Sequence, residues 1–265
     1  MDSGFLRREI ANNEVRLSYL ENSGDGPVVV ALPGLAGAGD EFIATAVAVG
    51  GSHRFVLPDL RGHGHSTRRP ADVSRDAFTA DVAAVIRQVS PGRRVTLVGQ
   101  SMGGHTAILA AAAFSDLVDR LVVLEATVAG GADPVRIGDY FRSWPLPFAS
   151  AAEAEAFLGQ DALSRSWIGH LEPSGDGGLV PAFDADMMQS VMEGVSAPRW
   201  EEWRSVTQPT TAVFAAKSMF SPAEQAEFVT ARPGTRHVIL AGGSHDAHLD
   251  ATPEWAAALS LALEG

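Results

Sequence analysis

Short apolar runs alternate with longer amphipathic or alanine-rich stretches along most of the chain, a spacing that predicts a mostly parallel sheet covered by helices on both faces. The runs are Val28–Leu32, Phe55–Pro58, Val95–Val98, Arg120–Leu124, Thr210–Phe214 and Arg236–Leu240. Most place apolar residues at consecutive rather than alternate positions, as strands buried on both faces do. Between them the pattern predicts helices over residues 40–49, 76–89, 103–113, 222–231 and 252–263. Residues 5–21 alternate instead, and predict an edge hairpin turning near Asn12-Asn13. Residues 128–207 follow neither rhythm. They are interrupted by Pro134, Pro145, Pro147, Pro173, Pro181 and Pro198 and hold four of the five tryptophans. The division expected is therefore one α/β unit built from 1–127 and 208–265, with an insertion over 128–207. No internal repeat or low-complexity tail is evident.

Chemistry enters at Gly99-Gln100-Ser101-Met102-Gly103-Gly104, which directly follows the run Val95–Val98 and precedes the helix former Thr106–Ala113. A strand, a sharp turn and a helix are thus predicted with a serine at the apex. Such a turn needs glycines where side chains would collide, and it exposes the serine hydroxyl beside the free N–H groups opening the helix. Alone, a Gly-x-Ser-x-Gly match is weak evidence, since an incidental glycine-rich turn carries the same letters. Its strand–turn–helix setting makes Ser101 a candidate nucleophile.

A serine hydroxyl needs a neighbouring base to take its proton. Arg236–Leu240 is followed by the loop Ala241-Gly242-Gly243-Ser244-His245-Asp246, and then by a terminal helix. A histidine at such a loop tip titrates near neutrality and suits a proton shuttle. A lone loop histidine is more often a solvated surface residue. The pairing with the serine turn, in this chain order, makes His245 the candidate base.

Two further motifs complete a pattern. Val28-Val29-Val30-Ala31-Leu32-Pro33-Gly34-Leu35 resembles the third strand and oxyanion loop of the α/β-hydrolases. Phe55 to Ser66, with Asp59-Leu60-Arg61-Gly62-His63-Gly64-His65-Ser66, resembles the fourth strand and the loop behind it in that family. The chain thus resembles an α/β-hydrolase over nearly its whole length. The resemblance implies that fold, a helical cap formed by 128–207, and an oxyanion hole made by the backbone N–H groups of Leu35 and Met102. Pro33 departs from the histidine many members carry, yet leaves the N–H of Leu35 in place. Aromatic and methionine side chains of the cap, such as Tyr140, Phe141, Trp167 and Met192, then either line a pocket for an apolar substrate or form the cap's own core.

In most of the family a carboxylate follows the strand that here reads Thr210–Phe214. No Asp or Glu occurs between Glu202 and Glu224, and Met219 stands about where the acid would fall. Glu125, at the end of Arg120–Leu124, is the replacement. The carboxyl ends of such strands are where ligands and catalytic groups gather. The placement is similar to that in haloalkane dehalogenases and zearalenone-type lactone hydrolases. The order Ser101, Glu125, His245 also fits the family's serine–acid–histidine sequence. Asp246 and Asp133 are weaker candidates.

The resemblance therefore implies a serine hydrolase cleaving an ester or lactone of an apolar small molecule, without cofactor. The same triad serves C–C bond hydrolysis, and the Ser-Met-Gly-Gly turn resembles that of perhydrolases. From a different class, a ligand-sensing receptor on this fold would bind and turn over little. A haloalkane dehalogenase or epoxide hydrolase would need aspartate where Ser101 stands.

Composition narrows the field further. The net charge of −12, without a basic stripe, argues against nucleic acid or an anionic membrane as partner. With no cysteine, disulfides, thiolate metal sites and cysteine nucleophiles are absent from the chemistry. The pairs His63/His65 and His245/His248 lack a helical metal-binding motif, so no metal is expected; Asp59 and Arg61 read as loop structure. The first residues lack a signal-peptide core, and no apolar run approaches the about 18 residues of a membrane span. The expected address is cytoplasmic.

Overall fold

The computed structural model describes residues 4–175 and 177–264; the extreme ends of the expected division, residues 1–3 and 265, lie outside it, as does residue 176. Ten strands are present among the described residues: β1 (Phe5–Asn12), β2 (Val15–Asn22), β3 (Val28–Leu32), β4 (Arg54–Pro58), β5 (Val95–Gln100), β6 (Val118–Leu124), β7 (Glu172–Pro173), β8 (Leu179–Val180), β9 (Thr210–Phe214) and β10 (Arg236–Ile239). Eight of them form one sheet in the order β1-β2-β4-β3-β5-β6-β9-β10. From β4 to β10 every neighbouring pair is parallel, whereas β1 and β2 form an antiparallel edge hairpin. That hairpin turns where expected, with Asn13 in the left-handed region at φ 53°.

The helices are α1 (Ile43–Val49), α2 (Arg75–Val89), α3 (Met102–Ala113), α4 (Pro134–Arg142), α5 (Ala151–Leu158), α6 (Ala162–Gly169), α7 (Ala185–Val195), α8 (Trp200–Ser205), α9 (Pro222–Thr230), α10 (Ala247–Asp250) and α11 (Thr252–Glu264). The start of the helix expected over 40–49 is instead a 3-10 turn, Gly39–Phe42. Among the described residues no helix is long and apolar enough to cross a membrane.

The consecutive apolar runs are explained by two cores. Val30, Leu32, Leu97, Leu121 and Phe214 point to one face, against Phe78, Ile108, Trp203 and Phe228. Val29, Ala31, Val98, Val122 and Val213 point to the other, against Ala46, Trp255 and Leu259. Each large side chain fully buried this way contributes about 1.5–3 kcal/mol relative to exposure. Helices α4–α7 and the small antiparallel β7–β8 ribbon lie between β6 and β9 and hold a third apolar cluster around Phe141, Trp144, Phe148 and Trp167. Trp203 of α8 does not join it. That ring stacks on Phe228 at 4.2 Å and donates its Nε1–H to the Phe228 carbonyl at 2.8 Å, within the sheet core.

Candidate active site

The turn between β5 and α3 is as tight as its glycines imply. Ser101 adopts φ 51°, ψ −121° immediately before the first turn of α3. A Cβ on Gly99 would stand 2.3 Å from the Gly103 carbonyl oxygen, and one on Gly103 2.3 Å from that of Leu32. Neither position tolerates a side chain without backbone movement. The strained serine is held by its neighbours: its N–H donates to the Leu124 carbonyl at 3.0 Å, and its own carbonyl accepts from His105 at 3.0 Å.

His245 reaches this serine from the loop after β10. Its Nε2 lies 2.9 Å from Ser101 Oγ, and its Nδ1 lies 3.2 Å from Glu125 Oε2. The loop is also tied by Gln100, whose side-chain amide donates to the His245 carbonyl at 2.9 Å. Glu125 directly follows β6 with φ 49° and is 0% exposed. Its Oε1 accepts the N–H of Ala215 at 2.7 Å; its Oε2 accepts the Ser218 hydroxyl at 3.0 Å and the Met219 N–H at 3.3 Å. The segment after β9, which lacks an acid, is thus the segment that holds one. A buried carboxylate with three donors besides the imidazole is kept as an acceptor for the Nδ1 proton, fixing the tautomer that leaves Nε2 facing the serine.

The other candidates stand elsewhere. Asp133 caps α4 by accepting the Arg136 N–H at 3.0 Å. Asp246 contacts the Gln100 amide at 3.5 Å rather than the imidazole, and burial raises its pKa. Asp59 accepts from the backbone of Gly39 and His65, and Arg61 pairs with buried Asp81 at 2.6 Å, so both hold the loop together. His63 lies 2.9 Å from the Arg61 carbonyl, and burial lowers its pKa to about 4.

Ser101, Glu125 and His245 line one cavity of about 750 Å³, a volume typical of small-molecule sites. Leu35 and Met102 line it too. Met102 opens α3, so its N–H has no acceptor within the helix, and the Leu35 N–H has none among the described residues. Tyr140, Phe141, Trp167 and Met192 form part of the wall, while Trp144, Phe148, Phe183 and Met188 pack inside the inserted segment. Three features escaped the sequence reading: the donors on Glu125, the tie from Gln100, and a buried histidine, His105, one helical turn beyond the serine. The donors are mostly backbone groups, which leave no trace in residue identity. His105 carries no signal in an alanine-rich helix.

A family model described as alpha/beta hydrolase fold matches residues 27–164, and the chain belongs to that family. A 2-(acetamidomethylene)succinate hydrolase of Mesorhizobium japonicum is 25% identical over 254 residues, 91% of this chain and 89% of that protein. The mouse sn-1-specific diacylglycerol lipase ABHD11 is 37% identical over 128 residues, 47% of this chain; the chain spans only 41% of that relative. Among solved structures, an E-2-(acetamidomethylene)succinate hydrolase superposes with a TM-score of 0.89 at 22% identity, covering 98% of this chain and 100% of that one. That likeness is one of fold. The protein is a hydrolase of the α/β-hydrolase family.

Proposed function

We propose that the protein is a serine hydrolase that cleaves a carboxylic ester or lactone of a small molecule through an acyl-enzyme on Ser101. The observation that carries this reading is the unbroken line Ser101 Oγ, His245 Nε2, His245 Nδ1, Glu125 Oε2, with steps of 2.9 and 3.2 Å across the two hydrogen bonds. His245 takes the hydroxyl proton as Ser101 attacks the carbonyl, then returns it to the leaving group. Glu125 orients the imidazole and stabilises its charged form. The N–H groups of Leu35 and Met102 receive the oxyanion; one such donor is worth about 10²–10³ in turnover. A water deprotonated by the same histidine completes hydrolysis. The inserted helices act as a cap whose aromatic side chains cover the acyl group.

The test compares hydrolysis of p-nitrophenyl acetate and butyrate by the protein and its Ser101→Ala variant. The expected loss is at least about 10³-fold, as for nucleophile removal in comparable triads. Equal rates in the two proteins overturn the assignment. The name of the Mesorhizobium relative favours a second reading, in which the bond broken is not an ester. A protein that ignores both esters yet hydrolyses a 2-(acetamidomethylene)succinate, with loss of that activity in Ser101→Ala, would establish it.

A further inference from the structure

A histidine that the triad does not use lines the cavity, with two arginines close enough to act on its charge. His105 is 1% exposed and lines the cavity, and neither ring nitrogen has a partner among the described residues. Burial, with Arg75 and Arg199 nearby, lowers its pKa to about 3, so the ring is neutral and offers one N–H. Behind it Arg75, the first residue of α2, is 2% exposed and makes no ion pair among the described residues. Its guanidinium donates to the Thr106 hydroxyl and lies over the Phe78 ring at 4.3 Å, but Nε and Nη1 are buried without acceptors among the described residues. Burial and the charge on Arg199 lower its pKa to about 9, which leaves it cationic at neutral pH. Arg199 pairs with Glu202 at 2.8 Å through Nη1, while its own Nε is also buried without an acceptor among the described residues.

A buried cation without a counter-charge is strongly unfavourable, and natural folds pair such groups or hold them for a ligand. The carboxylates lining the cavity make no ion pair with Arg75: Glu41 is engaged by Ser166 at 2.7 Å, Asp133 and Glu224 cap helices, Asp246 faces the Gln100 amide at 3.5 Å, and Glu125 is on the triad. The fold accommodates the arginine side chain closely. Gly194 of α7 packs over Arg75, where a Cβ would stand 2.9 Å from Arg75 Cδ, while its neighbour Val195 lines the cavity. His105 is four residues past Ser101, a rise of about 6 Å along the axis. A two- or three-carbon chain bridges an acyl carbon at the serine and an anionic group at that depth.

We propose that His105, backed by Arg75 and Arg199, is a carboxylate-recognition subsite, so that the preferred acyl group is a short chain ending in a carboxylate. The assignment rests on the serine-hydrolase reading only in taking Ser101 as the reacting end. An anion entering past His105 would accept its N–H and meet the free Nε and Nη1 of Arg75, satisfying three buried donor groups at once. Arg136, on α4 and lining the same cavity, makes no ion pair among the described residues and adds to the positive field that an entering anion meets.

Two measurements test this. In the first, the mono-p-nitrophenyl ester of glutaric acid is compared with p-nitrophenyl 5-methylhexanoate, which has the same shape without the charge. The expected preference in kcat/KM is at least about tenfold for the glutarate, falling by a similar factor, through KM, in Arg75→Met and in His105→Phe. The second variant keeps the assay decisive should the arginine replacement not fold. In the second measurement, glutarate is titrated calorimetrically into the Ser101→Ala protein, expected to bind and to lose that binding in the double variant with His105→Phe. Turnover of both esters with no preference for the charged one, and no glutarate binding, overturns the subsite and leaves the triad standing. Glutarate binding with no turnover of either ester supports the subsite and removes the ester reading instead. Ordered water around Arg75 would give no dependence on the anion in either experiment, which also overturns the proposal.

Discussion

At the scale of single residues, the acid is the least conventional part of the site. In the proposed triad Glu125 stands in for a carboxylate after β9, and its side chain reaches His245 from the end of β6, one strand away. The missing acid leaves that loop free to act as a clamp: Ala215, Ser218 and Met219 all donate to Glu125. Replacing the carboxylate by its amide removes the charge and presents an N–H to Nδ1, favouring the wrong tautomer. Glu125→Gln is therefore expected to lower kcat by about 10⁴, with the folded structure retained. Asp246→Asn, by contrast, should change it less than tenfold. A reversal of these two results in the p-nitrophenyl ester assay would move the acid to Asp246. Ser101 and His245 were legible because glycines bracket them in order. Glu125 was legible through the absence of an acid after β9 together with its place at the end of β6 and the chain order. The clamp was not legible, because backbone donors have no letter of their own, and the same holds for Arg75, whose isolation from carboxylates is a fact of packing.

At the scale of elements, the turn from β5 into α3 couples stability to chemistry. Gly99 and Gly103 let the helix lie against the strand ends so closely that backbone oxygens occupy the space of a Cβ. Gly103→Ala places a methyl 2.3 Å from the Leu32 carbonyl oxygen, so α3 must shift and carry Ser101 and Met102 with it. Overpacking of this kind costs about 1–3 kcal/mol, occasionally more. For a domain of this size that corresponds to a melting temperature lower by roughly 2–12 °C. Calorimetry should show that drop, and the ester assay a larger proportional loss of kcat. A Gly103→Ala protein with unchanged stability and activity would mean that the turn is looser than drawn. The six parallel strands and the helices between them could be read directly, since consecutive apolar runs have few alternatives. Helices α4–α7 could not be placed, because short proline-bounded segments that pack on one another and on a cavity share no single apolar stripe. Nor could the 3-10 turn at Gly39–Phe42 or the short α10, each only one turn long.

At the scale of the whole molecule, the inserted segment is fastened to the sheet unit by polar contacts beside the cavity. The residue following α6, His170, places Nε2 at 2.7 Å from Asp40 Oδ1. Ser166 of the same helix donates to Glu41 at 2.7 Å, and Glu41 also faces His248 at 3.5 Å. Burial disfavours the charged His170 ring, but Asp40, with Glu41 and Asp59 adding to it, outweighs this and raises its pKa. Burial likewise pushes Asp40 up, and His170 outweighs it to bring its pKa below the usual value. The raised histidine contributes stability that is complete below its unfolded pKa of about 6.5 and disappears as the pH climbs through the folded value. The lowered aspartate contributes above about 3.8 and fails as the pH drops below that. The fastening is thus strongest between about pH 4 and 6.5 and weakens toward alkaline pH. Because both side chains are partly exposed, its worth is at most about 1 kcal/mol. A difference of that size changes the equilibrium of any local opening of α6 up to about fivefold. Hydrogen-exchange protection of residues 162–169, taken relative to α3, is expected to fall several-fold between pH 6 and 8.5. In His170→Ala it should be low and independent of pH over that range. If the native protein shows the same flat profile, the His170–Asp40 pair does not hold the segment down, and its hold on the sheet unit rests on the Ser166–Glu41 hydrogen bond and apolar contacts instead.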